Sequence, residues 1–430
     1  MEKQPQIEVE VRPTLVDLDN FSGREIEGIE SKPEKFVRLE EGTDYEAVEE
    51  NDRITSSHDF RDFIVFISPS TGTETKMVEA PHWRSINDSG VRSSIEVEDH
   101  QGRVYTEYFY AVSTKGIGYL KPTAKDLNIE DYDSWAVKDK EGVNDRGYKV
   151  LGLISKEEAE GGALLENSEY LMCAGLRTEL YWGMAELKRL PFKGQMLTVD
   201  ELRDRKVISP KKDYKPYEVV RLFKMNNRIA EAAQSGERRE ELFKQAFDVF
   251  NQETRDKNLD LPEISIGNPE EEPVFFQEFF KRMGQNMATF FNLGYDHGYM
   301  HSANVTLAAE IADVGTMGPW QDDVDKEKTK KYSGVPRSYL KDMRDMCYGL
   351  RLLIRAGKDA GLNTGKREAL ADSFLDGFNG LFDSTKVSSN KIDATNAKEW
   401  MEKILDTVIV KKENLLPLLH NEVEDWHISV

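Results

Sequence analysis

The spacing of apolar residues changes character twice along the chain. Residues 1–60 are acidic and polar with scattered Val and Leu, which predicts an N-terminal extension holding one or two short elements. Beyond it, Phe63–Ile67, Ser94–Val97, Val104–Ser113 and Tyr148–Ile154 are rich in β-branched and aromatic residues and bounded by Gly, Asn and Asp, so they read as strands. The polar stretch Lys121–Gly147 reads as a loop insertion. From Ser155 to Leu190 the positions Leu164, Leu165, Tyr170, Leu171, Ala174, Leu180 and Met184 fall near a helical period, which predicts helix across that range. Val219–Phe223 is a further strand. After Asn226 helix dominates. Phe275, Phe276, Phe279, Phe280, Met283, Met287, Phe290 and Phe291 make a wide apolar stripe, the mark of a core helix. Residues 295–320 interrupt the helices with β-like pieces and glycines. Residues 335–430 return to helix, with polar turns at Asp383-Ser384-Thr385 and Ser388-Ser389-Asn390.

This order predicts an α+β protein with a protein kinase-like, two-lobed fold: a β-rich N-lobe and a mostly helical C-lobe. The expected division is an acidic extension (1–60), an N-lobe with one long helix (61–225), a C-lobe (226–334) and a helical C-terminal part (335–430).

Composition narrows the function classes. The 430 residues carry 58 Lys and Arg against 79 Asp and Glu, a net charge of −21. Such a surface argues against nucleic acid or an anionic membrane as partner, since both need clustered cations. No apolar run approaches the roughly 20 residues of a membrane span. The start of the chain has no apolar leader, and the two cysteines, Cys173 and Cys347, lie in no metal or disulfide motif. A reduced, cytoplasmic protein is expected.

The chemistry concentrates in His297-Gly298-Tyr299-Met300-His301-Ser302-Ala303-Asn304, followed by Ile311-Ala312-Asp313-Val314-Gly315. A kinase catalytic loop has a His, an Asn seven residues on, then a hairpin ending in Asp-x-Gly. Asn304 lies seven residues after His297, and Asp313 nine after Asn304. Nine residues suffice for two short strands and a tight turn, which would return Asp313 beside Asn304. An amide oxygen and a carboxylate converging there are hard ligands suited to a divalent cation among phosphates. Gly315 would let the chain turn away without a side chain. Position 299, where a kinase carries its catalytic Asp, is Tyr.

This segment resembles selenoprotein O, the kinase-like protein adenylyltransferase family, and three further fragments match in family order. Lys115-Gly116-Ile117-Gly118 looks like the family's Lys-Gly-x-Gly at a strand end. Ser168-Glu169-Tyr170-Leu171 looks like the opening of its long N-lobe helix. Arg221 and Arg228 keep the spacing of its two phosphate-binding arginines. Asp88-Ser89-Gly90-Val91-Arg92 is a weaker match to its Gly-Asp-Gly-Arg loop. The resemblance spans roughly residues 85–320. It implies that ATP binds with Gly90, Arg92, Lys115, Arg221 and Arg228 around it, that Glu169 pairs with Lys115, and that Asn304 and Asp313 hold Mg²⁺ or Mn²⁺. Lys115, Glu169 and Asp313 would be the catalytic set, and a protein hydroxyl the acceptor of AMP.

Three departures matter. The family's Asp just before the metal-binding Asn is Ala303 here, which can neither take a proton nor accept a hydrogen bond. Asp296, His297 or His301 could substitute. The gap from Lys115 to Glu169 is longer than in the family, with Asp145-Arg146-Gly147 as a remnant of its second arginine loop. The family's C-terminal redox Cys or selenocysteine has no counterpart near His427-Ile428-Ser429-Val430. The alternatives to adenylyl transfer are a nucleotide-binding pseudoenzyme or scaffold lacking its base, and an atypical phosphotransferase.

Overall fold

The computed structural model describes residues 36–67, 85–88, 91–99, 102–116, 138–139, 142–143, 153–156, 159, 164–192, 195–205, 208, 215–319, 337–389 and 393–413. They fall into two compact units. The first holds the described residues up to Tyr170 together with Glu179–Asn227. The second holds Leu171–Thr178 and the described residues from Arg228 onward.

The first unit is built on a five-stranded antiparallel sheet. Its strands are β1 (Tyr45–Glu50), β2 (Ser85–Asp88), β5 (Ala111–Lys115), β6 (Leu180–Leu187) and β7 (Tyr217–Phe223), in the spatial order β1-β6-β7-β5-β2. A neighbouring hairpin of β3 (Ser93–Glu98) and β4 (Val104–Phe109) pairs with Thr55–Ser56. Helix α1 (Leu164–Cys173) enters the chain between β5 and β6. The sheet centre is dry: all seven residues of β7 are buried, as are seven of the eight in β6.

The second unit is helical: α2 (Arg239–Asp256), α3 (Glu272–Leu293), α4 (Arg337–Asp359), α5 (Arg367–Leu381) and α6 (Ala394–Leu405), which runs into a π-helical turn at Asp406–Val410. The phenylalanine stripe of α3 is buried as its period predicts. Phe275 meets Phe243, Phe247 and Phe250 of α2, and Phe291 stacks on Tyr339 of α4 with ring centroids 4.1 Å apart. Helices α3 and α5 pack backbone to backbone through two glycines. A Cβ on Gly284 would lie 2.0 Å from the Phe374 carbonyl oxygen, and one on Gly377 2.0 Å from that of Lys281. The architecture is α+β, β-rich first and helical second, consistent with the kinase-like layout.

Several local expectations change. Helix was expected across Ser155–Leu190, but α1 ends at Cys173 and Leu180–Leu187 is strand. A strand buried on both faces loses the polar alternation that separates it from a buried helix. Val104–Ser113 is two strands broken at Tyr110, each in a different sheet. Residues 1–60 are not a separate extension where described, because β1 lies at an edge of the main sheet. The chain passes into the second unit after Asn227, two residues beyond the expected 225/226 boundary. Of the two expected polar turns, Ser384, Thr385, Ser388 and Ser389 lie in a short helix, Ser384–Ser389, capped by Asp383, which accepts from the Thr385 amide, and Asn390 lies outside the described residues. Within Lys121–Gly147 the described residues form a small hairpin, Lys138–Asp139 with Gly142–Val143. Most of Tyr148–Ile154 lies outside the described residues, and Ile154 bridges to Tyr217.

Glu218 of β7 is fully buried, and its carboxyl makes no hydrogen bond of good geometry. Burial pushes its pKa well above the usual carboxylate range, with the Val65 backbone opposing weakly. Two measurements check these features. Gly284→Ala and Gly377→Ala should each lower unfolding stability by about 1–3 kcal/mol in urea titrations. Because the native Glu218 holds a proton that the unfolded chain releases, stability should fall as pH rises above the ordinary carboxylate pKa. The slope contributed is up to about 1.4 kcal/mol per pH unit, and Glu218→Gln should remove it.

Candidate active site

The loop His297–Asn304 follows α3 after a left-handed Gly294 and a two-residue strand, Tyr295–Asp296, paired with Gly318–Pro319. Its backbone is gathered by one side chain. The Asp342 carboxylate, on α4, accepts from the amides of His297 at 2.7 Å, Gly298 at 3.0 Å and Met300 at 3.3 Å. Burial raises the Asp342 pKa, opposed by nearby His297 and these amide donors. From the preceding position, Lys341 donates to the Gly298 carbonyl and sits 5.1 Å from the centroid of the exposed Tyr299 ring.

His297 is fully buried. Its Nε2 lies 2.8 Å from the Ala312 carbonyl and must donate to it, while Nδ1 accepts from the Tyr299 amide at 3.3 Å. Both ring nitrogens are therefore engaged. The ring ties the loop to the residue before Asp313. His301 caps the short 3₁₀ turn Ser302–Asn304, its Nδ1 accepting from the Ala303 amide at 3.3 Å. Although His301 keeps solvent contact, partial desolvation lowers its pKa, opposed by nearby Asp345.

The expected hairpin is present. Val305 pairs with Ile311, the Thr306 amide donates to Glu310 at 3.0 Å, and the Ala312 amide donates to the Asn304 carbonyl at 2.9 Å. That last bond sets Asp313 next to Asn304 in the backbone network. Asn304 Nδ2 donates to the Tyr299 carbonyl at 2.9 Å, which fixes the side-chain amide and leaves Oδ1 as its acceptor. Asp313 itself takes the left-handed conformation at the turn, φ 56° and ψ 42°, and a 3₁₀ turn at Val314–Thr316 follows. The chain thus turns first at Asp313, ahead of Gly315, the expected turning point. Arg228 joins the same network: it bridges Thr306, and the Ile229 amide donates to the Val305 carbonyl at 3.0 Å. Arg228 is almost fully buried.

A second set of contacts holds the hairpin from behind. Arg177 makes a two-pronged ion pair with Glu253 of α2 at 2.5 and 2.6 Å, and its Nε donates to the Ala308 carbonyl at 2.6 Å. Arg282 of α3 reaches the same buried Glu253 at 2.8 Å. Asn286 Oδ1 accepts from the Arg177 amide, and its Nδ2 donates to Ala309. Thr178 Oγ1 donates to Ile311 at 2.8 Å.

The remaining described candidates lie in the first unit. Lys115 ends β5 opposite Val219, and Arg221 stands opposite Ser113, so both occupy one face of the sheet two positions apart. Gly116 is required at the strand end. Its φ is +99°, and a Cβ there would come within 2.3 Å of the Tyr217 carbonyl oxygen. Arg221 is buried and ion-paired with buried Glu179 at 2.7 Å, a partner the sequence did not suggest. Glu169 differs from expectation. In place of an ion pair with Lys115, its carboxylate takes Arg53 and, at 2.6 Å, Asn51 Nδ2. Arg92 lies against the Tyr108 ring at 5.2 Å. Gly90 and Asp145-Arg146-Gly147 lie outside the described residues. Lys115, Glu169 and Arg221 thus belong to the first unit, and Arg228, Asn304 and Asp313 to the second.

No protein-family model matches the chain, and no curated protein matches it. Among solved structures, the chain is similar to the kinase domain of a Toxoplasma gondii rhoptry antigen, at 9% identity over 76% of this chain and 84% of that one. The TM-score is 0.24, so the fold rests on the topology above. No described helix is long and apolar enough to cross a membrane.

Asp342 tests the loop. Its replacement by Ala strands two buried amides and the half-buried Gly298 amide, so Asp342→Ala should cost about 3 kcal/mol or more in denaturant unfolding. Asp345→Ala, one turn position away and bonded to Arg344, should cost under about 1 kcal/mol.

Proposed function

We propose that this protein is an ATP- and metal-dependent transferase of kinase-like fold that moves an adenylyl group to hydroxyl groups of proteins. The observation that carries the reading is the hairpin Val305–Ile311, whose Ala312–Asn304 backbone hydrogen bond sets the residue before Asp313 against Asn304, with Arg228 bridged to Thr306 of the same hairpin. The direction of transfer, AMP rather than phosphate, comes from the resemblance to selenoprotein O.

The donor set suits a hard cation. Among the described residues no group of three or more His, Cys, Asp or Glu side chains gathers at metal-binding distance. Asn304 and Asp313 would thus supply two oxygens and leave the other positions to phosphate and water, a common arrangement for Mg²⁺. Bound there, the cation would neutralise charge developing on the phosphates. Within the second unit, Arg228 would hold phosphate oxygens through its planar fork, and Lys115, in the first unit, is assigned to phosphate by the resemblance alone, as a point charge. Arg221 would have to exchange Glu179 for phosphate to do so, and its first task is the buried ion pair. Arg92 remains a candidate through its place at the start of β3. Glu169 is engaged by Arg53 and Asn51 in place of Lys115.

In the reaction the acceptor oxygen bonds to the α-phosphorus. The bond from that phosphorus to the α–β bridging oxygen breaks, and pyrophosphate leaves with the electron pair. The hydroxyl proton needs an acceptor that Ala303 cannot provide. His297 has both ring nitrogens engaged and His301 has Nδ1 engaged, while Asp296 keeps a carboxylate. A base typically supplies about 10²–10⁴-fold in rate. Ala303 and the two engaged histidines therefore favour one second reading, a nucleotide-binding pseudoenzyme.

The test is label transfer. The protein is incubated with a protein acceptor mixture, Mg²⁺ or Mn²⁺, and ATP labelled at the α- or the γ-phosphate, with Asp313→Ala as control. Label from the α position alone, lost in the variant, is expected. Label from γ alone would make the protein a phosphotransferase. Metal-dependent ATP binding without either label would establish the pseudoenzyme.

A further inference from the structure

The second unit contains a pair of arginines whose charge the described part of the protein does not neutralise. The chain carries a net charge of −21, and its described arginines mostly find carboxylates: Arg53 takes Glu169, Arg61 takes Glu41, Glu50 and Asp59, and Arg282 takes Glu253 and Glu278. Arg351 of α4 and Arg367, the first residue of α5, make no ion pair among the described residues. Each spends one donor on a carbonyl, one in the π-helical turn and one just beyond it. Arg367 Nη1 donates to the Ile409 carbonyl at 2.8 Å, and Arg351 Nη1 reaches the Glu413 carbonyl at 3.5 Å.

Capping those carbonyls explains why cations stand here, since the C-terminal end of a helix is electronegative. It does not account for both of them. A guanidinium has five N–H donors, so one bond each leaves most of the two forks unspent. The Nε of Arg367 is buried and has no acceptor. The two charges are also close enough to oppose each other. Burial and the neighbouring Arg351 lower the Arg367 pKa, with only Glu368, next to it in sequence, acting the other way. The charged groups nearest in the chain are Lys366, the N-cap of α5, Glu368 on α5, Arg355 on α4, and Lys411, Lys412 and Glu413 beyond the π turn. Arg355 is paired with Asp359 and Lys411 with Asp406. The side chains are fixed from the protein side by carbonyls alone, leaving like charges facing one another.

We propose that Arg351 and Arg367 form an oxoanion site that takes a phosphate group. Two planar forks offer several N–H donors to tetrahedral oxygens, and a dianion removes the repulsion between them. The site is separate from Arg228, Asn304 and Asp313 in the chain and shares no residue with the nucleotide reading, so it stands whether or not that reading holds.

The test is calorimetric titration of the full chain with inorganic phosphate up to about 10 mM, the range that detects millimolar affinity, with ionic strength held constant by sodium chloride. A parallel titration uses glycerol phosphate, and the tighter of the two identifies free or esterified phosphate as the preferred source. Saturable one-site binding is expected. Arg351→Gln and Arg367→Gln should each weaken it at least about tenfold, one charged fork being worth roughly that much. Arg355→Gln should leave it unchanged. Circular dichroism confirms that each variant is folded, and Arg367→Lys, which keeps the charge and loses the fork, covers the case in which Arg367→Gln does not fold. The proposal is overturned if wild type shows no saturable binding, if both Gln variants bind as wild type does, or if Arg228→Gln alone abolishes binding.

Discussion

The geometry of the candidate site depends on a carboxylate that touches none of the reacting groups. Asp342 gathers three consecutive-region amides of the loop His297–Met300, which no strand or helix would otherwise satisfy. A buried loop of this kind costs free energy for each unpaired N–H. One acceptor with two oxygens answers three of them at once. With the loop fixed, His297 can bridge to Ala312, Asn304 can be oriented by Tyr299, and the hairpin can close on Asp313. Each contact presupposes the one before it, so the arrangement is an ordered set of constraints.

The second support is electrostatic. Arg177, Arg282 and Glu253 lie almost wholly out of water, and a buried ion pair stabilises little by itself because desolvation consumes most of the Coulomb gain. Its value lies in placement. Arg177 also donates to the turn carbonyl of Ala308, so the charge network of α2 and α3 extends into the backbone beside Asn304. Arg221 with Glu179 and Lys224 with Glu107 follow the same pattern in the sheet unit. An acidic protein has carboxylates to spare for its internal arginines, which makes the unneutralised pair Arg351 and Arg367 stand out.

Much of this was legible in the residues. The phenylalanine stripe of α3 lies in the core, because a helix with apolar residues at that spacing has only one way to leave water. The nine-residue gap between Asn304 and Asp313 is a hairpin because a tight turn is what such a gap permits. Gly116 was visible as part of Lys-Gly-x-Gly, though its reason, a carbonyl oxygen where a Cβ would go, was not. Leu180–Leu187 was misread as helix since both faces are covered, so no polar position marks the period.

By itself the sequence determined local and short-range matters: which stretches are apolar enough to be core, where the metal-type oxygens recur, and that position 303 carries no base. Partners were decided by the tertiary structure. Glu169 turned to Arg53 and Asn51, Arg221 to Glu179, and Asp342 to a loop 45 residues earlier. The reason is physical. Period and turn chemistry act over a few residues and leave a pattern in the string. An ion pair or an amide clamp depends on which distant side chain arrives within about 3 Å, and only the closed chain sets that distance.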